Sequence, residues 1–525
     1  MKKTKGLKVC MIMLALFFVF LPIKGRAAES KKELKVSIQQ GTSAGEIQSV
    51  LELANTLDKK TYSGLKVVLE KGTYELDDSL VLYSDTTIVA TDCTIIKAHR
   101  EGPIIRNYLY DQEKEKPYAE NITVIGGLWD GAPEINGSKS DELFRFIHAR
   151  NIEVRDLTIK NIKAGHLLTL AGVTGAVVDH CTFSGFTVYG SIKEAVHLDL
   201  VHSRYMVPVV ESSKKLIRYD DAPCKDITVT NCTFHNVPSG VGSHSSVRGV
   251  YQENIVIKDN IFTNIETAAV RCYNYKNVTI SGNKILRTGI GIQLYTCTAN
   301  SENMDDNKTS YHIPLEGTKQ EPIPEDNNYH IKVENNEIHM VYKGKDKHMG
   351  NGIVVTGNEK RPMASLIIKN NTIINTKKYS IKMQYAPEAE LCNNELTNGD
   401  ADGYIGGIQI NKSDSCKVHD NLIRYCERGI DSLQSCSGYY VKNEIFNSLY
   451  DGIRLNNRSK NSTVANNTIM DTDGTGIAVT EKSDDNLLKK NRIKNANIGI
   501  YINDCKKTKL KQNIIKGNYQ TKIKQ

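Results

Sequence analysis

One phrase, N-I-x-V/I-x-x-N/C-x-I/F-x-N, returns about every 22–30 residues and constrains the fold of this chain more than anything else in it. It reads NIEVRDLTIKN from Asn151, DITVTNCTFHN from Asp226, NIVIKDNIFTN from Asn254 and NVTISGNKILR from Asn277. It continues as HIKVENNEIHM from His330, SLIIKNNTIIN from Ser365 and NSTVANNTIMD from Asn461. Self-similarity at a fixed period means stacked units, none of which can bury its apolar face alone. Apolar residues alternate within the phrase, as at Ile255, Ile257, Ile261 and Phe262, so the pieces are short strands and not helices. A third piece follows each phrase: Thr288–Leu294, Asn351–Val355, Gly406–Ile410, Asp451–Leu455, Thr475–Val479 and Ile498–Ile502. Three short strands per turn predict an all-β chain wound as a right-handed parallel β-helix, a solenoid.

The recurring asparagines have a mechanical reading. Asn371, Asn394, Asn421, Asn467, Asn491 and Asn513 fall at the bend between strands, where side-chain amides tolerate left-handed backbone and bond it locally. Stacked coil on coil, they can also form an internal amide ladder. Cys181 and Cys232 hold equivalent places in HCTF and NCTF, where a free thiol acts as a small stacking hydrophobe. Cys272, Cys392 and Cys416 share such strand-like contexts, and no C-x-x-C pair suggests a metal. The cysteines are therefore expected to be buried thiols rather than disulfides.

The chain opens with MKKTKGLK, an apolar run from Val9 to Leu21, and GRAAES. That pattern predicts a secretory signal peptide over 1–28, hence a secreted protein, extracellular or loosely held at the cell wall, with no later membrane span. The formal charge of +8 then misleads, because six of the 68 basic residues lie in 1–28 against no acid. The remainder carries 62 basic and 60 acidic residues, about +2. Residues 481–525 hold 12 basic and 4 acidic side chains, an end that can contact an anionic wall polymer or simply be a solvated last coil. Nothing points to nucleic acid or a nucleotide cofactor, and a monomer is expected.

Residues 29–98 read as an N-terminal cap and first irregular coils. In TSAGEIQSVLELANTL, the residues Ile47, Val50, Leu51, Ala54 and Leu57 share one helical face, and Ser43 and Glu46 have capping-box spacing. Such a helix would cover the open end of the solenoid. Residues 99–525 form the β-helix, broken by insertions at 201–224, 296–329 and 356–364 after third strands. These leave from one side, so they can wall a cleft.

Third strands of successive coils lie side by side about 4.8 Å apart. Aligning Val196, Val241, Val270 and Ile292 inward puts His197, Gly242, Arg271 and Gln293 in one outward column. The next column holds Asp199, His244, Tyr273 and Tyr295. Carboxylate, imidazole, guanidinium and phenol together are what acid–base chemistry on sugars needs. Asp220 and Asp221, in RYDDAPCKD beside Tyr219, are further candidate acids, although Asp and Pro also favour a turn there.

With these residues in view, the chain resembles the pectin-lyase-like superfamily of secreted β-helix proteins, through its repeat phrases. It is more narrowly similar to polygalacturonases in the order Asp199 (EAVHLDL), Asp220–Asp221, His244 (GVGSHSS) and Arg271 (AVRCY). The paired acids fall between coils rather than on a third strand, and the GHG and RIK motifs of that family are absent. The Asp/His/Tyr/Arg set also resembles alginate-type lyases and epimerases, without their DPH motif. The resemblance implies a carbohydrate-active enzyme. A lyase on an acidic polysaccharide is favoured, with Arg271 neutralising the sugar carboxylate, His244 or Tyr273 moving the proton and Asp199 orienting His244 or binding sugar. His197, Gln293, Tyr295 and Tyr219 would bind substrate. A polygalacturonase-like hydrolase using Asp199 with Asp220 or Asp221 is one alternative, and a non-catalytic polysaccharide-binding or adhesive module is the other. No cofactor is expected; calcium would have only Asp199, Asp220 and Asp221 to hold it.

Overall fold

Because apolar residues recur at every second position, each phrase can bury one face only by pairing with its copy in the next coil. The computed structural model describes residues 31–109, 118–138, 141–187, 193–202, 219–297, 309–311, 326–342, 344, 348–399, 406–517 and 520–524. The expected signal peptide at 1–28 lies outside them, as do 203–218 of the first insertion and 298–308 and 312–325 of the second. The described strands form a 17-stranded and a 25-stranded sheet whose strand pairs are parallel. Register is carried by stacked aliphatics: Val229 lies opposite Ile257, Ile257 opposite Ile280, and Ile280 opposite Val333.

The second and third strands of several coils are not separate. They run on as single strands, as in Ile261–Tyr273, Lys284–Tyr295, Leu422–Leu433 and Glu444–Asn456. The bend is absorbed by a register shift, between Ile265 and Ala268 in the first of these.

A column of buried asparagines runs up the inside. Asn260, Asn283, Asn336, Asn371, Asn394, Asn421, Asn443, Asn467 and Asn491 each pass an amide hydrogen bond of 2.9–3.1 Å to the next, the last of them to the half-buried Asn513. Each also bonds a strand carbonyl, as Asn421 does to Leu391 at 2.9 Å, so no amide is left unpaired in the dry interior. The left-handed residues are their predecessors, such as Asn370, Asn393 and Asp420, and not the ladder members themselves. At the upper end Cys232 takes the place of an asparagine: its N–H donates to Asn260, and its sulfur accepts from the Cys181 N–H. All eleven described cysteines are free thiols, nine of them buried.

Helix Ala44–Leu51 starts at a capping box between Ser43 and Glu46 and buries Ala44, Ile47 and Leu51. Its Gln48 accepts from the Val81 N–H at 2.8 Å, filling an edge group that another chain could otherwise pair. Trp129 is fully buried, edge-on to Phe144, and donates to the Gly126 carbonyl, so it is a core residue and not a sugar platform. No helix among the described residues is long and apolar enough to cross a membrane.

Candidate active site

Val196 lies opposite Val241, Val241 opposite Val270 and Val270 opposite Ile292, the register the apolar pattern predicts. His197, Gly242, Arg271 and Gln293 therefore stand in one outward column, and Tyr273 faces Tyr295 in the next. His244 leaves its column. Strand Thr233–Gly242 ends in a left-handed glycine (φ +147°), where a Cβ would sit 1.9 Å from the Arg271 carbonyl oxygen. The Ser243 N–H donates to that same carbonyl at 3.0 Å. Beyond this close approach the His244 ring stacks 4.9 Å from His197, and its Nδ1–H donates to Oε2 of Glu194 at 2.8 Å.

Glu194 and His166 complete a group that the outward columns do not contain. His166 stacks 3.9 Å from His197 and donates from Nδ1 to the Glu194 carbonyl at 2.7 Å. By strict alternation Glu194 shares the core phase of Val196 and Leu198, and His166 that of Leu168 and Leu170. A charged or polar residue in the core phase at a strand start was the signal that could have found them.

The electrostatics follow from burial. Burial, helped by Lys193, lowers the His166 imidazole to about 3. Burial and the neighbouring His166 and His244 likewise hold His197 well below its ordinary value. For Glu194 burial alone would raise the carboxyl, but His244, Arg271 and His166 outweigh it and keep it ionised. Burial pushes Asp199 up to about 6, against the opposing pull of His244 and of hydrogen bonds from the Leu200 N–H and the Ser245 hydroxyl, each 2.8 Å. Its other oxygen lies 3.9 Å from Nδ1 of His197.

Arg271 is 13% exposed, and its Nη1 is 4.0 Å from Oε1 of Glu194. Neither Nε nor Nη1 has a hydrogen-bond partner. The amide of Gln293 donates to the Tyr295 hydroxyl, and the Tyr295 ring meets Tyr273 and His348 edge-on at 5.6 Å. The remaining candidates turn to a neighbouring cluster. Asp220 lies 3.6 Å from Nε2 of His148, Asp221 bonds Nδ1 of His202, and Tyr219 packs against the apolar group of Leu200, Val201 and Val247. An open groove of about 620 Å³ on the other sheet is lined by Thr87, Thr123, Glu153 and Thr228, with no histidine or arginine.

Residues 217–401 match the family described as right handed beta helix region, and residues 401–525 the family described as periplasmic copper-binding protein (NosD). Among the described residues of that second stretch only His419 joins a possible donor group, with Glu390 and Cys392. Both its ring nitrogens already meet carboxylates, Asp420 at 2.7 Å and Glu390 at 2.9 Å, so this arrangement does not fit copper. Plasmin and fibronectin-binding protein A of Streptococcus pneumoniae is 24% identical over 250 residues, 42% of this chain and 34% of that protein. The chain thus spans about a third of its length. The crystal structure of the S. pneumoniae surface adhesin PfbA is 18% identical, covering 91% of this chain and 89% of that one at a TM-score of 0.44. The A-module of the Azotobacter vinelandii mannuronan C-5 epimerase AlgE6 is 12% identical, with 86% and 94% coverage and a TM-score of 0.40. A tailspike of E. coli bacteriophage HK620 in complex with pentasaccharide is 11% identical, with 83% and 74% coverage and a TM-score of 0.49. None of these likenesses assigns an activity. Its parallel coils and the match over 217–401 show the chain to be a right-handed parallel β-helix protein.

Proposed function

We propose that the protein is an exported enzyme that acts on an acidic polysaccharide by removing the proton beside a sugar carboxylate. The observation that carries this reading is Arg271, whose Nε–H and Nη1–H are unfilled and whose Nη1 lies 4.0 Å from Glu194, the carboxylate that orients the His244 imidazole. A guanidinium with free donors is a ready partner for a carboxylate, and pairing with it makes the adjacent C–H more acidic. With Nδ1–H held by Glu194, His244 presents Nε2 as the base. In elimination, Nε2 takes the C5 proton, the electron pair forms a C4–C5 double bond, and the C4–O bond breaks with a proton supplied to the leaving oxygen. Tyr273 is the candidate acid, and Gln293 and Tyr295 line the same face.

The test is incubation of the purified protein with a panel of acidic and neutral polysaccharides, reading ultraviolet absorbance and reducing ends together. Elimination predicts both signals on uronate polymers. New ends without absorbance would move the assignment to hydrolysis by Asp199 with Asp220 or Asp221. Silence in both, with polymer binding retained, would favour the second reading, a surface binding module, which the match to the pneumococcal binding protein supports.

A further inference from the structure

His166 on Gly165–Ala171, Glu194 and His197 three residues apart on Glu194–Asp199, and His244 just beyond Thr233–Gly242 each offer a donor atom within 4.8 Å of the other three. His197 is 2% exposed, and neither of its ring nitrogens has a hydrogen-bond partner. Oε1 of the fully buried Glu194 has none either. Native proteins leave few such groups unpaired, and water, an ion or a functional role usually explains them. The surrounding bonds choose among these. His166 donates from Nδ1 to a backbone carbonyl and His244 from Nδ1 to a carboxylate, at 2.7 and 2.8 Å. The tautomer that donates from Nδ1 carries its lone pair on Nε2. This outer arrangement is the one that fixes the tautomer and direction of metal-ligating imidazoles.

We propose that these four side chains form a divalent transition-metal site, with Nε2 of His166 and His244, one ring nitrogen of His197 and Oε1 of Glu194 as ligands. Imidazole nitrogens suit zinc, copper or nickel, whereas calcium and magnesium take oxygen. Arg271, 4.0 Å from Oε1 of Glu194, sharpens that choice. It repels a cation held by charge alone and disfavours less one that bonds imidazole lone pairs. Tetrahedral bonds of about 2.0–2.1 Å place donors about 3.3 Å apart, whereas the present donor atoms lie within 4.8 Å, so the rings must turn out of their 12–16° stacks to converge on one ion. The site lies at 166–244, outside the stretch matching the copper-binding family, and rests on its own donors.

It shares His244 and Glu194 with the proposed reaction without depending on it, because binding is read with no polysaccharide present. A metal bound there would stand beside Arg271 as a second positive centre for a sugar carboxylate and would leave proton transfer to Tyr273.

The experiment is calorimetric titration of the tag-free, EDTA-stripped protein with zinc chloride and, separately, calcium chloride. His197→Ala, His166→Gln and His419→Ala are titrated alongside, each first shown to unfold cooperatively in EDTA. One zinc per chain is expected, with affinity falling by roughly 100-fold or more in the His197 and His166 variants. The His419 variant should bind as the parent does, and calcium should give no heat. Zinc affinity that survives both the His197 and His166 changes, that is lost in His419→Ala, or that is absent from the parent overturns the proposal, whatever the polysaccharide assay shows.

Discussion

Arg271 and Arg454 stand in the same outward column of the same sheet, and the structure treats them in opposite ways. Register leads from Arg271 through Gln293, Val354, Lys382, Gln409 and Asp431 to Arg454. Arg454 is clamped on both arms by Asp431, at 2.7 and 3.0 Å, and nearby Arg428 is held by Asp451 at 3.0 Å. Arg271 has Gly242 and Gln293 as column neighbours, so no carboxylate one strand away can close it. The difference lies in sequence and not in backbone. Where the next coil supplies an acid, a guanidinium becomes part of the scaffold; where it supplies glycine and glutamine, the donors stay open for a ligand.

The largest effect expected from this contrast is on turnover. His244→Gln should lower kcat/KM on the responsive polymer by about 10²–10⁴-fold while the unfolding midpoint stays close to that of the parent. Full activity in that variant would put the two regions on the same footing. The ladder should respond the other way. Asn421→Leu removes the acceptor for two Asn394 donors, takes the side-chain donor from the Leu391 carbonyl and leaves the Asn443 amide oxygen only the backbone N–H of residue 421, all in the dry core. We expect about 3 kcal/mol lost in urea denaturation, with catalysis per folded molecule unchanged.

Gly242→Ala sharpens the comparison, because it touches both properties. Its Cβ would collide with the Arg271 carbonyl, so a loss of about 1–3 kcal/mol and a fall in activity through displaced His244 are expected together. The smallest effect belongs to Asp431→Asn. It opens the clamp on Arg454, a partly exposed pair, and should cost about 1 kcal/mol with no change in activity.

The winding was legible because stacked coils repeat one solution: an apolar residue every second position and an asparagine at the bend. The third-strand register was legible for the same reason, since Val196, Val241, Val270 and Ile292 can face only inward. The site was legible only in part. His197 and Arg271 follow from alternation, but His244 does not, because the left-handed Gly242 redirects the chain beyond its column. His166 and Glu194 lie in the core phase, which a search of outward columns passes over. Asp220 and Asp221 meet His148 and His202 through a chain path that periodicity does not encode. The asparagine ladder was longer than the six residues first apparent, because Asn260, Asn283, Asn336 and Asn443 occupy the same bend.

The most direct measurement sets the two arginines against each other. On the polymer that the parent protein attacks, kcat/KM and unfolding midpoint are determined for Arg271→Ala and Arg454→Ala in parallel. The account predicts that Arg271→Ala abolishes turnover and leaves the midpoint nearly unmoved, whereas Arg454→Ala lowers the midpoint and keeps turnover. Turnover that survives in Arg271→Ala, or the same response from both variants, would contradict it.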